Sequence, residues 1–314
     1  MINFFKRIIN PTNRTDIALK FCMTLAIAFV FLFMYKLLVP YENAEGFSQK
    51  EPFEVKVNEQ KYDEFFVDMY ESLHNSQSRS NNELYQIIKA TEPTKDSVFL
   101  DVGSGTGYSV NRLNDTGFHA YGIEKSTVMY DYSTKHYPDI HVEKGDVNDS
   151  MIFDKSTFTH ILCNYFTIYE MKDKELFFRN CYFWMKPNSY LIVHLVDRKH
   201  FTKMIPHTTM TTDCEIQLVN HRSFHNSTVF DDFHYKATVH VPLDINNREV
   251  NLVETFTENN SDHIRQNEST LYMEPIDKIL DYASLNGFIY HAKINMKNMN
   301  EDEHQYLYIF ERPL

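Results

Sequence analysis

Residues 98–110 read Val-Phe-Leu-Asp-Val-Gly-Ser-Gly-Thr-Gly-Tyr-Ser-Val: a short apolar strand carrying Asp101, then three alternating glycines, then the opening of a helix. Gly103, Gly105 and Gly107 permit a sharp turn and a close backbone approach to a ligand, and the following helix offers free N–H groups. The spacing selects among ligands. A dinucleotide loop needs Gly-x-Gly-x-x-Gly, whereas here the third glycine comes one residue early and Tyr108 stands at the required place. Asp101 puts negative charge beside the loop, which disfavours a pyrophosphate. A ligand carrying an ammonium group and a sulfonium centre suits it better.

From this loop the chain alternates. Strand patterns at 98–102, 119–123, 140–143, 159–163 and 190–196 are separated by helical patterns at 107–114, 126–136 and 173–185. This predicts a parallel sheet with helices on both faces and ligand residues at the carboxyl ends of the strands. Asp101, Glu124 and Asp146 all fall at such ends. One acid there reads as a loop or cap residue; three at successive strand ends read as a site. Past Asp197 the pattern turns to β-branched and aromatic alternation at 214–221, 228–241, 249–257 and 270–273, an antiparallel insert over 198–274. A helix over 275–286 and a closing hairpin of 288–296 with 306–311 follow.

Taken in order, these segments resemble the class I S-adenosylmethionine (SAM)-dependent methyltransferases. Leu100-Asp-Val-Gly-Ser-Gly-Thr-Gly107 is similar to the family's first motif, and Gly122-Ile-Glu124-Lys-Ser and Lys144-Gly-Asp146-Val to the acids that close its second and third strands. Ile161-Leu-Cys-Asn-Tyr-Phe-Thr-Ile-Tyr169 resembles the fourth strand and the substrate-facing segment after it. Met185-Lys-Pro-Asn-Ser-Tyr-Leu-Ile-Val193 is similar to the family's Leu-Lys-Pro-Gly-Gly approach to strand five, with Asn188 and Ser189 replacing the glycines; Asn tolerates that turn. The resemblance covers residues 61–314 and implies an α/β, Rossmann-like sheet of seven strands, the last antiparallel, with SAM as cofactor. It implies cofactor contacts from Asp101, Gly103, Ser104, Gly105 and Gly107, from Glu124 and Lys125 at the ribose, from Asp146 and Val147 at the adenine, and from Asn164. An insert after strand five is similar to that of small-molecule and sugar-amine N-methyltransferases, where it covers the acceptor pocket.

The composition narrows the partners. The chain is acidic, with 43 Asp+Glu against 31 Lys+Arg, and has no basic tract interleaved with aromatics, so nucleic acid is not the expected substrate. Cys22, Cys163, Cys181 and Cys214 show no paired spacing, and the histidines after residue 194 form no His-Glu-x-x-His motif. Neither a disulfide framework nor a metal site is expected, and no obligate protein partner is evident. Abundant Asn, Ile, Lys, Phe and Tyr suit an AT-rich genome such as that of a large DNA virus.

The N-terminal region carries a second signal. From Ile17 to Val39 only Lys20 and Lys36 are charged, both near the ends where an ammonium group can snorkel. At 1.5 Å per residue the run spans about 34 Å, enough for a bilayer. It exceeds a signal-peptide core and no small-x-small cleavage site follows. Residues 1–40 are therefore expected to form an uncleaved single-pass anchor in the lipid bilayer, and 41–60 a polar linker. Lys6, Arg7, Arg14 and Lys20 lie on the N-terminal side, and on the far side Lys36 is followed by Glu42 and Glu45, so the positive-inside rule keeps the N-terminus cytoplasmic. Unpaired cysteines and a cytosolic cofactor argue for the opposite arrangement, and the side of the domain stays open. The sequons at Asn226 and Asn267 do not decide it, since an Asn-rich chain produces them by accident.

A helix is predicted from Lys61 to about Leu73, with Tyr62, Phe65, Phe66 and Tyr70 on one face. The plain reading is packing against the domain; in the family such a helix is a lid over SAM, which brings Tyr62 or Tyr70 to the cofactor. Arg79, in the polar segment after it, is a candidate partner for the methionyl carboxylate, against plain surface solvation. Because SAM carries an activated methyl, the protein has to align an acceptor lone pair with the S–CH₃ bond and exclude water. Tyr165 and Tyr169 are candidates for the pocket wall and for orientation. His194 is a candidate base, its alternative being a packed histidine with satisfied hydrogen bonds. A lid-like insert favours a small-molecule acceptor, an amine first. The alternatives are an inactive SAM-fold scaffold at a membrane and a methyltransferase acting on a lipid headgroup or protein.

Overall fold

The alternation around the glycine loop folds into one central sheet. The structure, a computed structural model, describes residues 14–38, 51–74, 76–205, 216–218 and 221–314. In chain order it begins with helix α1 (Arg14–Leu38), strand β1 (Phe53–Val57), a 3₁₀ turn (Asn58–Lys61), α2 (Glu64–His74) and α3 (Ser76–Thr91). There follow β2 (Val98–Val102), α4 (Tyr108–Asp115), β3 (His119–Glu124), α5 (Thr127–His136), β4 (His141–Lys144), β5 (Phe158–Cys163), α6 (Thr167–Glu170), α7 (Lys174–Trp184) and β6 (Met185–Val196). The insert supplies β7 (Ile216–Leu218), β8 (His221–Val229), β9 (Phe233–Pro242), β10 (Glu249–Glu258) and β11 (Ile264–Tyr272). The chain closes with α8 (Ile276–Leu285), β12 (Ile289–Asn295), α9 (Lys297–Asn300) and β13 (Gln305–Arg312).

The seven-stranded sheet runs β12-β13-β6-β5-β2-β3-β4. Its β2–β3, β2–β5, β3–β4 and β5–β6 pairs are parallel, while β13 lies antiparallel between β6 and β12. This is the α/β, Rossmann-like architecture expected from the motif order. Helix α7 shows why both faces are covered: Phe177, Phe178, Cys181 and Trp184 are buried at helical spacing, each large side chain contributing about 1.5–3 kcal/mol by leaving water. Leu84, Ile87, Val110 and Leu113 of α3 and α4 belong to a second buried cluster. Asp173 caps α7 by accepting from Leu176 N at 2.9 Å, and Asn188 takes the expected left-handed turn, φ 55°.

A second sheet of six strands runs β1-β11-β10-β9-β8-β7. It corrects three expectations. The run 228–241 is not one strand: Asp231 and Asp232 turn the chain, and β8 and β9 pair as a hairpin on either side. The strand expected at 270–273 begins at Ile264, and its alternating burial is hidden because the inward residues are Arg265, Asn267 and Ser269. The expected linker contains β1, which pairs parallel with β11; residues 41–50 of that linker, like Cys214, lie outside the described residues. Cys163 and Cys181 are buried free thiols. Asn226 and Asn267 are fully buried, so neither sequon is a glycosylation acceptor in this fold.

The chain divides into two units, residues 1–46 and 47–314. In the first, α1 is 25 residues long, about 37 Å at 1.5 Å per residue, and exposes Phe21, Phe29 and Phe31. Among the described residues no helix is long and apolar enough to cross a membrane, so the span expected over 17–39 is not established by the fold.

Candidate cofactor and acceptor site

Three loops at the carboxyl edge of the seven-stranded sheet build the site. Gly103, leaving β2 at φ +68°, is a position only glycine fills: a Cβ there would sit 2.6 Å from Thr167 Cγ2. Gly105 N–H donates to Glu124 Oε2 at 2.8 Å, and Ser126 N–H to Oε1 at 2.7 Å, so the end of β3 holds the loop after β2. Each carboxylate oxygen retains a second lone pair. Burial holds the Glu124 carboxyl above the usual range, with these backbone bonds opposing. Gly107 does something else. At φ +80° it starts α4, and a Cβ would meet Ile140 Cδ1 at 2.7 Å and Ser133 Cβ at 2.9 Å; it packs α4 against its neighbours and lines neither of the two cavities beside the loop.

A cavity of about 750 Å³ opens beside this loop. At one end it is lined by Glu124, Lys125, Asp146 and Val147. Lys125 Nζ bridges Asp146 at 3.2 Å and Glu59 of the 3₁₀ turn at 2.6 Å, tying the N-terminal segment across that end. Tyr62 also lines the cavity and donates to Glu170 Oε1 at 2.8 Å. The insert contributes to the lining through Tyr235, Leu252, Glu254 and Ser269.

A second, polar cavity of about 50 Å³ is lined by Arg79, Glu83, Asp101, Ser104, Asn164 and Tyr165. Gly103, Gly105 and Tyr165 line both spaces. Several of its buried polar atoms have no hydrogen-bond partner: Arg79 Nε and Nη1, Glu83 Oε1, Ser104 Oγ and Asn164 Oδ1. Buried orphans of this kind cost free energy unless a ligand pairs them. Donors from a guanidinium stand beside acceptors from carboxylates and an amide, the complement of an α-amino acid zwitterion. Burial, aided by Glu83 and Glu124 and opposed by Arg79, pushes the Asp101 carboxyl up to about 7.

Two candidates for the acceptor pocket fall elsewhere. Tyr169 is fully buried, its hydroxyl accepts from Val196 N at 2.8 Å, and it lines neither cavity. His194 is likewise sealed: Nδ1 donates to the Tyr165 carbonyl, Nε2 contacts Gln305 Oε1 at 3.1 Å, and burial lowers it to about 4. It is a packed histidine that positions Tyr165, not a base. Tyr165 does face the site, at φ +52°, its hydroxyl donating to the Met204 carbonyl and its ring 3.8 Å from the Arg79 guanidinium. Away from both cavities, Asp197, His200 and His304 bring one ligand atom each within 4.8 Å of one another; the histidines are too far apart in sequence for a motif search to pair them.

Sequence reasoning missed Glu83 and the insert residues. The signal for Glu83 was its i,i+4 spacing from Arg79, within a stripe of Ser76, Ser80, Leu84 and Ile87 that α3 buries. Polar residues in the first half of that stripe masked the helical period.

Residues 100–193 match the family described as "Methyltransferase domain". No curated protein matches the chain. Among solved structures, the CcbJ methyltransferase from Streptomyces caelestis is similar at 12% identity and TM-score 0.64, over 82% of this chain and 100% of that one. A SAM-dependent methyltransferase from Clostridium acetobutylicum is similar at 12% identity and TM-score 0.59, over 79% and 98%. The sugar N-methyltransferase KedS8 from Streptoalloteichus sp is similar at 14% identity and TM-score 0.55, over 78% and 92%. Residues 100–193 are a SAM-dependent methyltransferase domain, to which the glycine loop and the fold conform, and SAM is its cofactor.

Proposed function

We propose that this methyltransferase acts on a small-molecule acceptor, an amine, and that residues 17–39 anchor it in a lipid bilayer. The observation that carries the acceptor reading is the wall formed by the insert, whose Tyr235, Leu252, Glu254 and Ser269 line the same cavity as Gly103 and Glu124. A wall on that side limits the acceptor to a small molecule and excludes water from the reacting atoms. The likeness in fold to a sugar N-methyltransferase supports an amine. SAM, when bound, supplies a methyl group on a sulfonium centre.

The chain's own residues then have these roles. Arg79 pairs with the methionyl carboxylate and Asp101 with the ammonium, consistent with the unpaired atoms of the small cavity. Glu124 accepts the ribose hydroxyls, Asp146 the adenine amino group, and Val147 packs on the ring. Lys125 and Tyr62 hold the N-terminal segment across the cavity, Ser104 and Asn164 complete the polar end, and Tyr165 separates cofactor from acceptor.

One consequence is a pH dependence. With its folded value raised to about 7, Asp101 contributes stability to the free protein that is fully present below the unfolded value near 4 and lost as pH rises through 7. An ammonium beside it favours the ionised form, so binding releases a proton below pH 7. SAM affinity should fall about tenfold between pH 8 and pH 6, and Asp101→Asn should abolish the dependence. Calorimetry in buffers of different ionisation enthalpy reads the proton; none released at pH 6 would remove Asp101 from the site.

The acceptor reading is tested with labelled SAM and a cell lysate separated into small molecules, lipids and proteins, using the full chain in membranes and a chain lacking residues 1–40. Label should enter small amines with both, and only the shortened chain should extract without detergent. Label in lipid or protein would reject the acceptor class; detergent-free extraction of the full chain would reject the anchor.

A further inference from the structure

The inner face of the insert carries polar atoms that the fold does not use. Glu254 of β10 is 2% exposed yet lines the large cavity. Its Oε1 accepts from the Tyr235 hydroxyl at 2.8 Å, while Oε2 has no partner. Ser269, on the same face and also lining the cavity, leaves Oγ unpaired. Asn267, directly across the β10–β11 ladder from Glu254, leaves Nδ2 unpaired. A buried charged oxygen without a partner is the most costly of these orphans.

The charged groups around Glu254 are committed elsewhere. Lys61 Nζ pairs with Glu170 at 3.4 Å. Arg265 donates to Asp63 Oδ2 at 2.8 Å, to Asn267 Oδ1 at 3.0 Å and to the Lys61 carbonyl at 3.0 Å. Glu170, facing from α6, carries the same sign as Glu254. Tyr165 interacts with the Glu254 carboxylate electrostatically, and Tyr165 lines both cavities. Glu254 therefore faces the region between the polar end of the cofactor site and the insert, with one oxygen available to a cationic donor.

Taking the cavity as the site of a small amine acceptor, we propose that Glu254 recognises that acceptor as an ammonium ion and takes its proton before methylation, with Ser269 hydrogen-bonding a hydroxyl of the same molecule. The ammonium N–H bond breaks, its electron pair stays on nitrogen, and the proton passes to Glu254 Oε2. The freed lone pair forms the N–CH₃ bond as the S–CH₃ bond breaks, leaving that electron pair on sulfur. Glu254 returns its proton to water when product leaves. Burial raises the Glu254 carboxyl, opposed by Lys61, the Tyr235 hydrogen bond and Arg265, which brings its basicity closer to that of an amine.

The acceptor subsite is tested on the full-length chain saturated with S-adenosylhomocysteine, by titration of D-glucosamine and, as its neutral counterpart, D-glucose at pH 6.5. The wild-type chain should bind glucosamine about tenfold tighter than glucose, as a hydrogen-bonded charge pair provides. Glu254→Gln should bind the two equally, while Glu254→Asp should retain about a threefold preference. SAM affinity within twofold of wild type in each variant certifies the fold. Equal or undetectable binding of both sugars by the wild-type chain, or an unchanged preference in the variants, would overturn the role of Glu254 alone. Transfer of label to lipid or protein in the fractionation experiment would overturn the amine acceptor itself.

Discussion

Glu124→Ala should raise the dissociation constant of SAM by about tenfold to a hundredfold, the 1.5–3 kcal/mol carried by hydrogen bonds to a charged group. Two effects add. The ribose hydroxyls lose an ionised acceptor, and the Gly105 and Ser126 amides lose the carboxylate that fixes them at 2.8 and 2.7 Å. Glu124→Gln separates the two, because one amide oxygen can still hold Gly105 or Ser126 while the bidentate charge is gone. Its loss should be intermediate. Calorimetry on both variants reads the difference, and unchanged affinity in Glu124→Ala would exclude Glu124 from ribose binding.

Legibility followed how local the determinants are. The β2 loop was readable because strand, acid and glycines lie within thirteen consecutive residues, and β3 and β5 because each repeats a strand–helix unit. Asp101, Glu124 and Asp146 were found by their places at strand ends, and the structure keeps them there. The insert was less legible because part of its inner face is polar: Arg265, Asn267, Ser269 and Glu254 are buried where alternation predicts apolar side chains. Of these, Glu254 and Ser269 escape the hydrophobic pattern because they line the cavity. His194 and Tyr169 failed in the opposite way. Tyr169 follows β5 and His194 lies near the end of β6, both at the right edge, but their polar atoms are consumed by Tyr165, Gln305 and Val196, a distinction set by contacts 27 to 111 residues apart. Gly107 looked like a ligand-loop glycine and is a packing glycine, since only the contacts with Ser133 and Ile140 reveal what a Cβ there would strike.

Arg79→Met should produce the largest loss of any single change at the site. The guanidinium is 5% exposed, lies 3.8 Å from the Tyr165 ring and 3.7 Å from Glu83 Oε1, and opposes the raised carboxyl of Asp101. Methionine fills much of the volume but leaves two buried carboxyls without a cation, and breaking a buried pair on one side costs about 3–5 kcal/mol. Glu83 and Asp101 are already held above the usual carboxylate range by burial, so either can escape by taking up a proton. The destabilisation should therefore be smaller at pH 5 than at pH 8, the reverse of the usual acid weakening. Glu83→Gln in the same chain should recover part of the loss, a coupling that urea denaturation of the single and double variants measures. Binding separates structure from recognition. SAM should weaken by at least about tenfold, whereas 5′-methylthioadenosine, which lacks the amino-acid end, should bind within twofold of wild type. If both ligands weakened alike, Arg79 would be a structural cation beneath Tyr165, and the polar cavity would have to take the methionyl carboxylate through Ser104 and the loop amides instead.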